Sequence, residues 1–137
     1  CDNKIYDNYY SFTDDGWHTD SIVSFDYTVL DTTKIYNLSL NIRHTVDYEF
    51  QNLFLFLKAN TEDTIEIILA NKNGSWLGSG VSNVREFKYT FDNNRFFSRN
   101  GTYTLQIEQA MRYGSRDRIE YLENILDIGL IVSEQHE

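Results

Sequence analysis

The stretch from Tyr36 to Lys58, YNLSLNIRHTVDYEFQNLFLFLK, decides the fold class. Its first part alternates apolar and polar residues, which places Leu38, Leu40 and Ile42 on one face of a strand. Its second part, LFLFL at residues 53–57, is typical of a central strand covered on both faces and is too short to span a membrane. The stretch therefore predicts two buried strands, around which the rest of the chain packs.

Other segments repeat the alternation of apolar and polar residues. No helical segments alternate with them along the chain, so the sequence lacks the pattern of βαβ units. They lie at residues 23–29, 64–70, 86–91, 102–108 and 126–132. With the two strands above they give about seven or eight strands, which predicts an all-β, jelly-roll-like, two-layer antiparallel β-sandwich. A short helix is predicted over residues 117–124, because Asp117 is followed by Glu120 in capping-box spacing.

The length of 137 residues predicts one domain with a core that needs no disulfides or metals. Residues 1–10 are polar and lack a strong period, so they are interpreted as an N-terminal tether, with the sandwich domain at 11–137. The formal net charge of -9 repels phosphate backbones, and the basic residues are scattered. Nucleic-acid binding is therefore not expected.

The single cysteine of the sequence is residue 1. Lipoprotein signal peptidase cuts directly before a cysteine whose sulfur already carries diacylglycerol, so the sequence predicts lipid attachment at Cys1 after removal of a signal peptide. Acyl chains such as palmitate contribute about 0.8 kcal/mol per buried CH₂, and two or three of them hold a protein on a membrane without a basic patch. The alternative is a chain boundary that falls by chance at a free or buried thiol.

Side chains of the types that can bind metals or carry out catalysis form no recognisable motif in this sequence. His18, His44 and His136 are too dispersed for a zinc site, and Asp92–Asn94 has too few carboxylates for a calcium loop, so no metal or cofactor is expected. Glu66 and Glu108 could form the carboxylate pair of a sandwich-fold glycosidase, although both lie on the polar side of an alternating strand. No nucleophile elbow or phosphate loop is present, so the chain is not expected to be an enzyme.

Exposed aromatic rings would suit a binding protein. Trp17, Trp76, Tyr9 and Tyr10 lie in predicted loops or in the tether, where they could stack on sugars or contact a partner protein. The alternative is that both Trp residues plug the open ends of the sandwich, because each lies close to Gly residues that allow close packing. The sequence thus leaves open a protein-binding component and a carbohydrate-binding module.

Several segments resemble the gliding-motility lipoprotein family GldH over nearly the whole chain. They are GWH at 16–18, YNL at 36–38, LNIR at 40–43, Tyr48 with Phe50, NLFL at 52–55, WLG at 76–78 with Gly80, GTYT at 101–104, IEQAMR at 107–112 and DIGL at 127–130. The segment IEQAMR is the most specific, since strand patterning alone would not produce it, and it makes Arg112 a candidate contact residue. The lipid-attachment cysteine of the family falls on Cys1.

The resemblance implies a non-catalytic lipoprotein of the bacterial cell envelope, lipid-anchored on the periplasmic side of the inner or outer membrane. Its partners would be other envelope proteins of the gliding machinery and of the secretion system associated with it. The resemblance fixes no oligomeric state. Three triplets also look like the O-glycosylation sequence of exported proteins in these bacteria, with Ser21, Thr32 and Thr64 as the candidate sites.

Overall fold

The computed structural model describes residues 3–113 and 117–135. Within these residues the chain forms strands and no helix. Eight strands are seven residues or longer, namely β1 (Lys4–Ser11), β3 (Val23–Val29), β4 (Ile35–Thr45), β5 (Asn52–Lys58), β6 (Glu62–Ile68), β7 (Val84–Phe96), β8 (Gly101–Gln109) and β12 (Ile125–Glu134). Four strands have two residues each, namely β2 (Trp17–His18), β9 (Arg112–Tyr113), β10 (Asp117–Arg118) and β11 (Tyr121–Leu122).

The eight long strands form two antiparallel sheets of four strands. Sheet 1 has the order β1-β12-β4-β7, and sheet 2 has the order β3-β8-β5-β6. Counted among the long strands, sheet 1 contains the first, eighth, third and sixth, and sheet 2 contains the second, seventh, fourth and fifth. This is the strand order of a jelly roll. The predicted all-β, two-layer antiparallel sandwich is confirmed.

The core lies between the two sheets and follows the predicted alternation. In β3 every second residue from Val23 to Val29 is buried. In β4 the apolar residues Leu38, Leu40 and Ile42 are buried, and so are the polar residues between them, Ser39 and Asn41. In β5 the buried side chains are those of Leu53, Leu55 and Leu57. A period of two follows wherever one face of a strand packs inward and the other faces out.

The two halves of the stretch 36–58 lie in different sheets. β4 is an inner strand of sheet 1 and β5 is an inner strand of sheet 2, so residues 46–51 cross the sandwich. β5 is central in its sheet, but Phe54 and Phe56 on its outer face are only half-buried. The prediction that this apolar strand is covered on both faces is therefore wrong: one face is buried in the core, and the outer face is partly open to solvent.

The sandwich has two different ends. At the N-terminal end, where β1 begins at Lys4, the connections are short and comprise residues 30–34, 59–61 and 97–100. At the opposite end, called the loop end here, the connections are longer and comprise residues 12–22, 46–51, 69–83 and 110–124. β4, with 11 residues at about 3.3 Å each, places the two ends about 36 Å apart.

Two predictions about local structure are wrong. The predicted tether is a strand from Lys4 onward, because β1 pairs with β12 along its whole length. The predicted helix at residues 117–124 is replaced by β10 and β11, and β11 pairs with Trp17 and His18 of β2. Tertiary pairing overrides the capping-box signal.

Asp92–Asn94, a run of residue types that are typical of turns, lies inside β7. The register of β7 against β4 shifts at this point, and Asn94 has a φ of 60°. The tolerance of Asn for positive φ is used here for a bulge in a long strand.

No helix in the described part of the chain is long and apolar enough to cross a membrane.

Candidate functional site

The loop end collects the predicted contact residues. Trp17 lies in the connection 12–22, Trp76 in 69–83 and Arg112 in 110–124, so three connections that are distant in sequence meet at one end of the sandwich. Loops held on a rigid sheet framework are the usual position for binding residues. The loop end is therefore the candidate site.

Trp17 is fully buried at this end. Its ring stacks on Phe12 with centroids 4.7 Å apart, and its Nε1 donates a hydrogen bond to the carbonyl of Ser21 at 3.1 Å. The preceding residue, Gly16, has a φ of 96°, and a Cβ there would lie 2.2 Å from the Leu122 carbonyl oxygen. The role predicted for Trp17 as a ligand or partner contact does not fit this burial, and the ring closes the end of the core.

Trp76 is half-buried and covers His44. The two ring centroids are 4.6 Å apart, and Tyr48 packs against both rings, 5.8 Å from the imidazole and 6.4 Å from Trp76. His44 is fully buried, and its Nδ1 lies 2.8 Å from the carbonyl oxygen of Thr45. Since a carbonyl oxygen only accepts, Nδ1 donates, and the Nε2 lone pair has no partner among the described residues.

Burial fixes the charge states of this cluster. Removal from water lowers the pKa of His44, because the imidazolium form loses its hydration. Burial also raises the pKa of Tyr48, whose hydroxyl donates to the Asn52 carbonyl at 2.8 Å. Both side chains are therefore neutral near pH 7, and the part of Trp76 that faces solvent rests on an uncharged aromatic cluster.

Buried Gln109 ties the segment before Arg112 to the loop end. Its Nε2 donates to the carbonyl oxygen of Ile119 at 2.7 Å, and its Oε1 accepts from the Met111 amide at 2.9 Å. The Sδ of Met111 in turn accepts from the Phe54 amide at 3.3 Å. Hydrogen bonds made by the segment IEQAMR thus join β8 to β5 and to the connection 110–124.

Arg112 is exposed and lies between two depressions. One, of about 360 Å³, is lined by Phe50, Asn52, Phe54, Ala110, Met111 and Arg112. The other, of about 240 Å³, is lined by Thr19, Phe56, Glu108, Gln109, Ala110, Arg112 and Arg118. Among the described residues the Arg112 guanidinium forms no ion pair, whereas Arg118 pairs with Asp20 at 3.2 Å. Arg112 beside half-buried Phe rings forms a surface that could receive a carboxylate next to an apolar side chain.

The carboxylates proposed for a glycosidase lie on the same outer face of sheet 2, with β5 between them. Glu66 is opposite Phe54 and Glu108 is opposite Phe56, so two strand spacings of about 4.8 Å separate their backbones. Glu66 accepts a hydrogen bond from Asn52 at 2.7 Å, and Glu108 pairs with Lys58 at 3.4 Å. The two carboxylates do not face each other across a groove, so this hydrolase hypothesis does not fit the geometry.

The remaining candidate residues are spread over the surface. Tyr9 and Tyr10 belong to β1 and are about half exposed. Ser21 and Thr32 are partly buried, and Thr64 is exposed on the edge strand β6. Cys1 and His136 lie outside the described residues. Within residues 3–113 and 117–135, no three side chains of the metal-binding types cluster.

Sequence reasoning did not find the aromatic part of the site. The apolar run 53–57 predicts a strand covered on both faces, so Phe54 and Phe56 are not expected at a surface, and Met111 lies in the segment IEQAMR without a predicted role. The outward register of β5 depends on its pairing with β8, where Phe56 lies opposite Glu108. The segment IEQAMR was the one signal in the sequence that led to this surface.

Comparison with known proteins identifies the family. The family model described as GldH lipoprotein matches residues 4–132. The chain is 39% identical to the gliding motility lipoprotein GldH homolog of Christiangramia forsetii, over 98% of this chain and 86% of that protein. It is 38% identical to the gliding motility lipoprotein GldH of Flavobacterium johnsoniae, over 98% of this chain and 88% of that protein. No solved structure matches the chain. With a match across almost its whole length, the chain belongs to the GldH lipoprotein family of gliding motility.

Proposed function

We propose that this chain is a non-catalytic, lipid-anchored protein of the bacterial cell envelope, and that it works by holding a partner protein of the gliding machinery at its loop end. The lipid attachment is assigned to Cys1, because the family is a lipoprotein family and the sequence contains one cysteine. The anchored domain would lie on the periplasmic side of the inner or outer membrane.

The observation that carries this proposal is the polarity of the fold. β1 begins at the N-terminal end, so an anchor on Cys1 holds that end, and the long connections with Arg112 point away from it by about 36 Å. A protein with this polarity presents its loops to a partner away from the membrane. The long connections of the loop end supply the contact surface.

The partner surface is the pair of depressions on either side of Arg112. Half-buried Phe50 and Phe54 provide apolar area, and the Arg112 guanidinium provides a charged hydrogen-bond donor. Aromatic side chains, Phe included, and Arg are enriched at protein interfaces relative to the rest of the surface. A partner segment with an apolar side chain next to a carboxylate fits this surface.

The test is a pull-down of the lipidated protein from its own envelope after in-cell cross-linking, with mass spectrometry of the captured proteins. Arg112→Glu reverses the charge at the loop end, and Arg99→Glu makes the same change on an exposed residue near the N-terminal end. We expect Arg112→Glu to lose the envelope partners that wild type captures and Arg99→Glu to keep them. Equal capture by wild type and both variants would contradict the loop-end surface.

A further inference from the structure

We infer that the N-terminal end of the sandwich lies directly on the bilayer, with the exposed apolar side chains of Leu30, Ile35 and Phe96 in contact with lipid. This inference rests on the proposed lipid attachment at Cys1 and goes beyond it. A lipid anchor by itself requires only that the domain be attached. The inference adds a fixed orientation and a defined membrane-contact surface, called the apolar rim here.

The first observation is that almost no chain separates Cys1 from the folded domain. The carbonyl oxygen of Asn3 accepts a hydrogen bond from the Glu134 amide at 2.9 Å, and β1 starts at the next residue. Two residues can span at most about 7 Å between Cys1 and Asn3. A lipid on Cys1 therefore holds the N-terminal end close to the headgroups and leaves no tether by which the domain could move away.

The second observation is the apolar rim itself. Leu30 is 80% exposed, Phe96 63% and Ile35 43%, and all three lie at the N-terminal end. Ile35 and Phe96 are direct partners across β4 and β7, so their side chains lie next to each other on one face of sheet 1. Leu30 follows β3 in the connection that leads to Ile35. Large exposed apolar side chains mark an interaction surface. The loop end also exposes apolar side chains, such as Val81 at 84%, so it is the position of Cys1 that assigns lipid to the N-terminal end.

The apolar rim belongs to a rigid end. Just beneath it, Phe97 packs edge-on against Tyr36 at 5.6 Å and lies 4.7 Å from Tyr103. The Tyr36 hydroxyl donates to the Asp31 carbonyl at 2.7 Å, which fixes the connection that carries Leu30. The backbone that carries the rim residues is therefore attached to a packed aromatic layer.

Most cations at this end are paired with carboxylates, which favours an apolar contact with lipid over an electrostatic one, and exposed Arg99 forms no ion pair among the described residues. Lys34 lies 3.9 Å from Glu134, and Lys4 lies 3.1 Å from Asp7, so both lysines face acidic partners. The whole chain carries a formal net charge of -9, which opposes binding to anionic headgroups. Without the anchor the domain is therefore expected to stay in solution. With the anchor, side chains such as Phe96 can enter the boundary of headgroups and acyl chains, a depth of about 5–10 Å.

The single cysteine allows a direct test that does not depend on cellular lipidation. Purified full chain is coupled through Cys1 to a maleimide-functionalised lipid in vesicles of phosphatidylethanolamine and phosphatidylglycerol, with or without brominated acyl chains. Phe96→Trp places a fluorescent reporter on the apolar rim. Leu77→Trp is the matched control, because Leu77 is also about half exposed but lies at the loop end. The native Trp17 and Trp76 are at the loop end as well and give a constant background.

We expect brominated lipid to remove most of the emission added by Phe96→Trp, with a shift of that emission to shorter wavelength, and to leave Leu77→Trp and wild type unchanged. Leu30→Trp is a second rim reporter and should behave like Phe96→Trp. Equal quenching of rim and loop-end reporters, or no quenching of either, would overturn the orientation.

A second copy of the chain is the competing occupant of the apolar rim. If copies associate through it, emission of Phe96→Trp shifts with protein concentration in the absence of vesicles, and this outcome would also overturn the inference. A failure of the proposed lipidation would be recognised differently: the N-terminal peptide of the native protein would have its unmodified mass, without an attached lipid. The vesicle result on chemically anchored protein is unaffected by that finding.

Discussion

The ring of Tyr9 lies directly on the backbone of Gly129. A Cβ at residue 129 would stand 2.4 Å from the Cδ1 and Cε1 atoms of Tyr9, closer than two carbon atoms can approach. The Tyr9 hydroxyl accepts a hydrogen bond from Asn41 Nδ2 at 3.0 Å, so the ring spans from the edge strand β1 across β12 to β4. This contact fastens β1, and with it the N-terminus, to the middle of sheet 1.

Gly129→Ala should therefore loosen β1. The added methyl group must displace the Tyr9 ring and break its hydrogen bond to Asn41, and we expect a loss of about 1–3 kcal/mol in the free energy of unfolding. Hydrogen exchange of the β1 amides should become faster than in wild type, and the increase should be larger for β1 than for β5. Chemical denaturation followed by exchange mass spectrometry measures both effects.

The control for this prediction is a double-mutant cycle. In a Tyr9→Ala background the ring is gone, so Gly129→Ala should cost clearly less than it does in wild type. If the cost is the same in both backgrounds, the contact between Tyr9 and Gly129 is not the reason for the glycine.

Gln109→Leu should destabilise the loop end without unfolding the sheets. The substitution removes the donor to the Ile119 carbonyl and the acceptor of the Met111 amide, and it leaves both backbone groups without these side-chain partners. We expect a loss of about 2–4 kcal/mol in stability, and faster proteolysis within residues 110–124. Gln106→Leu is the matched control on the exposed face of β8 and should change little. Equal losses for the two variants would contradict the role of Gln109.

Residue patterns predicted the strands that have one buried face. Val23–Val29 alternates because its inner side chains enter the core and its outer ones contact solvent, and the structure confirms it. β1 lacks this signal because Tyr6 faces the core while Tyr9 packs on the outer face of Gly129, so aromatic residues occur on both faces. Period alone could not separate such a strand from a tether.

The candidate site was only partly predictable, since its residues gain their roles from distant pairing. Resemblance points to the segment containing Arg112, but its neighbours Phe54 and Phe56 become a surface only through the register of β5 against β8. Trp17 illustrates the reverse case. Its neighbour Gly16 was compatible with either a loop contact or a close-packed plug, and only the stacking on Phe12 decides between them.

His44 should make stability depend on pH. Burial holds its pKa in the folded protein below the value of about 6.5 that an unfolded chain has. As pH falls below about 6.5 the unfolded state binds a proton first, so the contribution of neutral His44 is fully present above that pH and is lost as pH falls through the folded pKa. The loss can reach about 1.4 kcal/mol per pH unit within this window.

His44→Phe should remove this part of the pH dependence, and urea denaturation at a series of pH values between 5 and 8 measures it. Carboxylates contribute to acid sensitivity in both proteins, so the difference between wild type and His44→Phe isolates the imidazole. Parallel stability curves for the two proteins would show that the pKa of His44 does not differ between the folded and unfolded states, which would contradict the effect of burial.

Peptide mapping of the protein from its native envelope should locate every modification at once. Trypsin cleaves after Lys4, Lys34, Lys58 and Lys72, so Cys1 lies in the peptide 1–4, Ser21 and Thr32 lie in 5–34, and Thr64 lies in 59–72. Peptide 1–4 should carry the mass of a diacylglyceryl group and, where the amine is also acylated, a third acyl chain. Glycosylation would add mass to 5–34 or 59–72, and since Thr64 is exposed on an edge strand it is the most accessible of the three sites. Unmodified masses for both larger peptides would remove the glycosylation hypothesis and leave the lipid attachment intact. An unmodified peptide 1–4 would contradict the lipid attachment at Cys1.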